Sequence, residues 1–406
     1  MMKNLSKEQQ TVLLLLRRSL WGENVILPEG IDWAKIDTMA QEQGVTAFIY
    51  DGVRDLRTDI PEQILQKWLR KLIAGVSRNE KLMRAQDEIV RWFADADIPA
   101  AILKGSSVSR YYPQPDLRAL GDIDILVANS KLEKAKKILE HNGYVLYEND
   151  PGYHISFRGS GIHVELHYGV TQLPDSEGGH LLENVTADLL DEIDQGRVAE
   201  RTFPVLSESN QALALLLHMI RHMFGSGIGL RQVCDWMMCM AHMDPEVFIN
   251  TTLPILEHCG LLRYAKIATS VCVCYLGLAK QNVPWCDDVP EEECLIFIGD
   301  VFCEGNMGTA NKDGMGSLFT YSRAMGTRQS SLGALLVRLT NRAYEHYPIM
   351  KKLKFLLPVA WVYLPVRIMI GQLLGTQPKR SIVKATKSAK KRRELYEMLR
   401  LFQIEK

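Results

Sequence analysis

The chain has 406 residues, of which 24% are charged and 47% hydrophobic, and its formal net charge is zero. This is an ordinary globular composition with room for two or three domains that each bury a core. A neutral balance makes no global case for nucleic-acid binding, and the opening MMKNLSKEQQ lacks the apolar run of a secretory signal.

Residues 1–98 read as a helical region. Val12, Leu15, Leu16 and Leu20 recur at the spacing of an amphipathic helix over Glu8 to Ser19, and Ser6 is placed to cap it. Further helices are expected over Asp32 to Gln43 and Pro61 to Ala94.

Residues 99–205 change to a mixed α/β pattern. The stretch Ala101 to Ala128 carries most of the chemistry. It begins with a short apolar run ending in Lys104-Gly105-Ser106-Ser107, which suggests a tight turn into a helix N-terminus that presents free N–H groups to a phosphate. It ends in Gly121-Asp122-Ile123-Asp124-Ile125-Leu126-Val127, a strand rich in β-branched residues. Side chains alternate along a strand, so Asp122 and Asp124 point one way and Ile123, Ile125 and Val127 the other. Two neighbouring carboxylates repel unless a cation compensates them, and Mg²⁺ takes carboxylate oxygens together with substrate phosphates. Next come a helix over Ser130 to His141 stopped by Asn142-Gly143, and a strand over Tyr144 to Tyr147. A hairpin follows, with arms Tyr153 to Arg158 and Ile162 to Tyr168 around Gly159-Ser160-Gly161. On its second arm His163, Glu165 and His167 share one face, with His154 opposite on the partner arm.

Residues 206–304 return to helices. Ser207 to Phe224 is apolar on most sides, the turn Gly225 to Gly229 follows, and Leu230 to His242 makes the next helix. His218 and His222 are one turn apart, a spacing that can hold zinc, although core or helix-end histidines are the plainer reading. Arg231 and Asp235, also one turn apart, read most simply as a salt bridge within the helix. Helices are expected over Pro254 to Leu278 and Glu291 to Cys303, and Gly305 to Thr327 reads as a loop or linker, giving a linker over 305–330. Eight cysteines occur without a C-x-x-C pair or regular framework, which fits a reduced, cytoplasmic chain with cysteines as small core hydrophobes.

Three motifs together carry a resemblance: Lys104-Gly105, then Tyr112-Pro113-Gln114-Pro115-Asp116-Leu117-Arg118, then Gly121 to Val127. They closely resemble the bacterial proteins grouped as uncharacterised nucleotidyltransferases, within the superfamily that shares its fold with DNA polymerase β. Val164-Glu165-Leu166-His167 resembles the strand that supplies that group's third acid. His222 followed by Leu230-Arg231-Gln232 and Asp235-Trp236 also resembles it. The interval from Ser106 to Asp122 is longer than in the simplest superfamily members, because the Tyr-Pro-Arg insert lies inside it.

The resemblance implies an α+β fold: a polymerase β-like mixed sheet with helices before it and a larger helical domain after it. It implies an enzyme that moves a nucleoside monophosphate from an NTP, ATP being the first candidate, to a hydroxyl acceptor with release of pyrophosphate. Asp122 and Asp124 would hold two Mg²⁺ ions and Glu165 the catalytic one. Lys104, Gly105, Ser106 and Ser107 would hold the outer phosphates, and Arg118 would neutralise charge, its plainer reading being an ion pair with Asp116 or Asp122. His154, His163, His167, His222, Arg231 and Asp235 are candidates for an acceptor pocket. A small molecule, a protein side chain and an RNA end all remain open as acceptor. A catalytically silent nucleotide-binding or scaffold protein is the alternative.

Residues 331–406 lie outside the resemblance. From Gln377 onward ten Lys/Arg face three Glu, a local net charge of +7. Phe355 to Val366 is apolar but too short for a membrane span, and Pro358 and Pro365 argue against a continuous helix there. With the cluster Lys387, Lys390, Lys391, Arg392 and Arg393, it suggests peripheral contact with the inner membrane surface or a partner. The plainer reading packs it onto the helical domain.

Overall fold

Ser6 starts the first helix, α1 (Lys7–Trp21), with both halves of a capping box in place: its hydroxyl accepts from the Gln9 N–H and the Gln9 side chain accepts from the Ser6 N–H. Asp32 caps α2 (Trp33–Glu42) in the same spirit, and α4 (Glu62–Asp95) is the long helix expected from the sequence. A short helix between them, α3 (Thr46–Val53), has no side-chain cap and no periodic run long enough to announce it. The structure is a computed structural model and describes residues 2–56, 59–150, 153–171, 173, 176–224, 227–306, 309, 340, 343, 347, 350, 353–373, 392 and 394–404.

Seven strands form one mixed sheet in the order β3-β4-β5-β2-β1-β7-β6. They are β1 (Ala100–Ile102), β2 (Ile123–Val127), β3 (Val145–Asp150), β4 (His154–Gly159), β5 (Ile162–His167), β6 (Ile193–Val198) and β7 (Arg201–Leu206). The central pair β2 and β5 runs parallel, with Ile123 beside Val164 and Asp124 beside Glu165. The β4–β5 hairpin turns on Ser160 and Gly161, both at positive φ, as a two-residue turn matched to strand twist requires. Strands β6 and β7 and the helix α7 (Glu177–Ala187) were not foreseen: Gln195, Gly196, Arg197 and Thr202 give no clean alternation.

Packed residues cover both faces of the sheet, and β2 is buried along its whole length. Ile102, Ile123, Ile125, Val127, Val164 and Leu166 pack one way, against Ile89 and Phe93 of α4 and Leu139 of α6 (Leu132–His141). On the other face Ala101, Leu103 and Leu126 join a larger core. That core is shared by the N-terminal helices and by α8 (Glu208–Phe224), α9 (Leu230–His242), α12 (Leu262–Leu276) and α13 (Glu291–Glu304). The helix expected over Pro254 to Leu278 is two helices, α11 (Leu253–His258) and α12, because Gly260 sits at φ +69° between them.

Two further expectations are corrected near the C-terminus. Leu357–Leu373 is a continuous helix through both prolines. Pro358 falls in the first turn, where a helix has N–H groups to spare, and Pro365 forfeits only one backbone bond. Arg392, counted in the basic cluster, is buried: it faces Asp300 and Glu304 and donates to the Met223 carbonyl. Leu395, Tyr396, Leu399, Leu401 and Phe402 belong to the large core, so this end of the chain packs as structure. Among the described residues no helix is long and apolar enough to cross a membrane. Of the Gly-rich stretch over 305–330, only Gly305, Asn306 and Thr309 are described; Lys387, Lys390, Lys391 and Arg393 also lie outside the described residues.

Candidate active site

Parallel pairing of β2 with β5 decides the centre of the site. Because Asp124 lies beside Glu165 in register, every second residue along both segments projects to the same side: Asp124 of β2 and Asp122 just before it, and His163, Glu165 and His167 from β5. The β4 arm pairs His154 with His167 in the antiparallel sense. The expected acidic group therefore assembles, flanked by three histidines.

Asp124 is 1% exposed, and a buried carboxylate needs compensating charge. The Lys104 ammonium lies 2.9 Å from its Oδ1 and the His167 Nε2 lies 3.1 Å from the same atom. Glu165 shares both partners, at 3.7 Å from Lys104 and 3.3 Å from His167. Burial alone would raise the Glu165 pKa, but the His167 ring and the Lys104 ammonium more than offset it and hold the carboxyl well below its usual range. Burial works against charge on His167 as well, yet its contacts with Asp124 and Glu165 raise its pKa above 6.5. Lys104 is likewise raised: the pull of Asp124, Asp122 and Glu165 overcomes its desolvation. Asp122 is the odd member. Burial, then repulsion from Asp124, raises its pKa, and among the described residues no cation lies within salt-bridge distance of it.

The Lys104-Gly105 turn brings the ammonium here. Gly105 holds φ +71° and ψ −109°, a backbone that a side chain would strain, and it directs the chain into a single helical turn, α5 (Ser106–Ser109). The two serine side chains lie outside the cavity above the carboxylates. Both are buried, and the Ser106 hydroxyl donates to Gln86 on α4.

That cavity has a volume of about 520 Å³. Asp122, Asp124 and Glu165 form its floor, with Lys104 and Gly105 beside them. Arg118, Arg231, His154, His167, His218, His222 and Asp235 line it too. The pairing of its arginines differs from the sequence reading. Arg118 bonds Asp235 in bidentate fashion, at 2.7 and 3.1 Å, and the Tyr112 hydroxyl donates to the same carboxylate at 2.7 Å. Asp116 and Asp122 are not its partners, and Asp235 is not paired with Arg231. Arg231 faces the cavity with no carboxylate within salt-bridge distance among the described residues, and its buried Nε lacks a hydrogen-bond partner. Desolvation, then the nearby Arg118, lowers its pKa, so Arg231 is a cation that gains from an anionic ligand.

His218 and His222 stack edge to face with centroids 4.2 Å apart. Burial first and the Lys104 charge next push both down, His222 to about 3, so both are neutral at physiological pH. Among the described residues they belong to no group of three metal ligands. His163 lies with Asp122 and Glu165, but the ring packs edge-on against Tyr147 at 6.1 Å and does not line the cavity. The sequence reading had not placed Tyr153, Arg221 or His218 at the site. Arg221 lies 3.8 Å over the Tyr153 ring and both face the cavity. Position one turn before His222 was the only signal for His218.

The donor set fits divalent cations. Two groups of ligand atoms, Asp122–His163–Glu165 and Asp124–Glu165–His167, each gather within 4.8 Å. The His163 Nε2 is buried and has no hydrogen-bond partner among the described residues, as a nitrogen awaiting a ligand would be.

A mixed sheet with three acids on its central parallel strands, a lysine turn beside them and a helical wall carrying arginines defines a nucleotidyltransferase-type protein. Residues 29–277 match the model of a family described as uncharacterised nucleotidyltransferase, and the chain belongs to that family. A comparison with curated proteins gives no match.

Proposed function

We propose that the chain is a metal-dependent nucleotidyltransferase that moves a nucleoside monophosphate from an NTP, ATP in the first instance, to a hydroxyl acceptor. The observation that carries this reading is the convergence of Asp122, Asp124 and Glu165 under one cavity whose walls carry Lys104, Arg118 and Arg231. Asp122, Asp124 and Glu165 would hold two divalent cations, Mg²⁺ on the sequence reading. Bound there, such ions stabilise charge on the phosphates and lower the pKa of an acceptor hydroxyl.

The protein's own groups then have separable tasks. Arg231, without a carboxylate partner among the described residues, binds the triphosphate. Arg118 is fixed by Asp235 and Tyr112, so it presents its charge without reorganising. Lys104, now on Asp124, would be free to turn to a phosphate if a cation were held at that carboxylate. His154 and the neutral pair His218 and His222 border the space left for an acceptor, where neutral imidazoles can hydrogen-bond and orient a hydroxyl. A cavity of about 520 Å³ lies within the usual range for small-molecule sites.

One observation favours a second reading. Lys104 and His167 already neutralise Asp124 and Glu165, as in a protein that binds nucleotide without transferring it. Incubation with each α-labelled NTP, divalent metal and a cell extract separates the two. Transfer of label with release of pyrophosphate supports the enzyme; saturable NTP binding with no pyrophosphate from any acceptor supports the silent protein.

The third reading, contact with a membrane surface, has a narrower base than its sequence suggested. Phe355, Val359, Val362 and Tyr363 are exposed on or beside the helix Leu357–Leu373, but Arg392 is committed to the core. Sedimentation with anionic vesicles tests it.

A further inference from the structure

The two ligand groups on the central strands have one property in common: each contains a histidine nitrogen. The β2–β5 register gives the reason. Asp124 and Glu165 face each other across the strands, and Glu165 has a histidine two residues away on either side. His163 falls on the Asp122 side of Glu165, and His167, paired with Leu126, reaches diagonally to Asp124. Glu165 is a member of both groups and lies between them.

The orientation of His167 is specific. Its Nδ1 lies 3.3 Å from the Gly169 carbonyl, an acceptor that only a ring N–H can satisfy. That contact places the proton on Nδ1 and leaves Nε2 to face Asp124 at 3.1 Å and Glu165 at 3.3 Å. A nitrogen lone pair aimed at two carboxylates is tenable only if a positive charge lies between them, either a proton on the ring or a metal ion. A backbone carbonyl behind the ring is the usual support of a metal-ligating histidine. His163 supplies an independent sign, because its buried Nε2 has no hydrogen-bond partner among the described residues although Asp122 and Glu165 lie beside it.

We propose that His163 and His167 are metal ligands, one at each cation position with Glu165 bridging, so that the centre selects a first-row transition-metal divalent over Mg²⁺. Mg²⁺ prefers oxygen and loses water reluctantly, whereas imidazole suits the first-row transition metals. An all-carboxylate centre would discriminate little between Mg²⁺ and Mn²⁺. One nitrogen at each position adds an interaction that Mg²⁺ makes poorly. Lys104 is the competitor: its ammonium lies 2.9 Å from Asp124 and must withdraw as the ion arrives. Its side chain is 18% exposed and reaches the cavity, where it has room to do so.

The inference rests on the proposed function for the identity of the site, but its test does not. The full-length protein is treated with chelator and titrated with Mn²⁺ alone, without nucleotide. Pulsed electron paramagnetic resonance on the bound Mn²⁺ should show modulation from ¹⁴N, which converts to the ¹⁵N pattern in protein grown with ¹⁵N-histidine. Mn²⁺ should bind at least tenfold tighter than Mg²⁺, and His167→Asn and His163→Gln should each reduce that ratio. Isotope labelling of the wild type keeps the test decisive even if a variant does not fold. Bound Mn²⁺ without histidine modulation, or equal affinity for the two ions, overturns the inference. Nucleotide transfer with Mg²⁺ in that case leaves the proposed function standing. Histidine modulation without transfer upholds the metal site and removes the proposed reaction.

Discussion

Neutralising either aspartate of β2 should abolish transfer, but the two changes should move stability in opposite directions. The sequence alone offered one argument for both: paired carboxylates repel, so removing either charge relieves strain. The structure separates them. Asp124 is buried and accepts from Lys104 at 2.9 Å and His167 at 3.1 Å. Asp124→Asn leaves two cations short of a counter-charge, and breaking a buried ion pair costs about 3–5 kcal/mol. Glu165 remains 3.7 Å from Lys104 and 3.3 Å from His167 and keeps the loss near the lower end, about 3 kcal/mol. At an unfolding entropy of about 2.1 cal/mol/K per residue, a chain of this length loses about 3–4 °C in Tm. Asp122 has no such partner among the described residues, and burial together with Asp124 raises its pKa, so Asp122→Asn should leave Tm unchanged or slightly higher. Calorimetry near pH 6 in the presence of a chelator, with pyrophosphate release measured on the same preparations, is the assay. Equal destabilisation by both substitutions, or a Tm that falls only for Asp122→Asn, would refute the reasoning; wild-type pyrophosphate release in either variant would refute the proposed chemistry.

Other expectations follow from the same geometry. His167 has a raised pKa, so the stability it gives the metal-free protein is complete below about pH 6.5 and lost as pH rises through its folded value; Glu165 has a lowered pKa, so its share is complete above about pH 4.5 and lost as pH falls toward its folded value. Metal-free protein should therefore be most stable between those limits, and Tm measured against pH in chelator checks it. Ser106→Ala should cost about 1–3 kcal/mol through the unpaired Gln86 carbonyl while the KM for NTP stays within twofold, which steady-state kinetics would show. Arg231→Gln should weaken NTP binding at least tenfold with little change in Tm, because no carboxylate is left unpaired; calorimetric titration with a non-hydrolysable analogue measures this. Deleting residues 392–406 strips Leu395, Tyr396, Leu399, Leu401 and Phe402 from the core, at about 1.5–3 kcal/mol each, so the shortened chain should aggregate or lose its melting transition.

Much of the site could be read from the sequence because its chemistry lies in strands, where a period of two fixes direction. Asp122 and Asp124 on one strand and His163, Glu165 and His167 on another could each be assigned a face without knowing the partner. Their common side was a single binary choice, which the parallel register of β2 and β5 settles. The helix boundaries that could be read are those with local causes: the Ser6 capping box, the Asp32 cap, the turn at Asn142-Gly143. Strands β6 and β7 gave no such signal, because their residues alternate poorly.

What could not be read depends on contacts between distant residues. Local spacing offered Asp235 a partner one turn away, Arg231, worth a few tenths of a kcal/mol on a helix surface. Arg118 lies 117 positions earlier in the chain and takes that carboxylate with two bonds. A planar guanidinium matched to both oxygens in a buried setting outweighs a flexible neighbour on the same helix. Loss of Asp235 to Arg118 leaves Arg231 without a counter-ion among the described residues, and Arg231 is thereby available to an anion in the cavity. Arg392 departs from the surface reading of the basic C-terminal segment for the same reason. Charge counting treats each Lys and Arg as solvated, but Arg392 meets Asp300 and Glu304 inside the fold while Leu395, Leu399 and Phe402 complete the core around it. A residue type fixes which charge a side chain carries; only the fold fixes whether that charge already has a partner, as it does for Arg118 and Arg392.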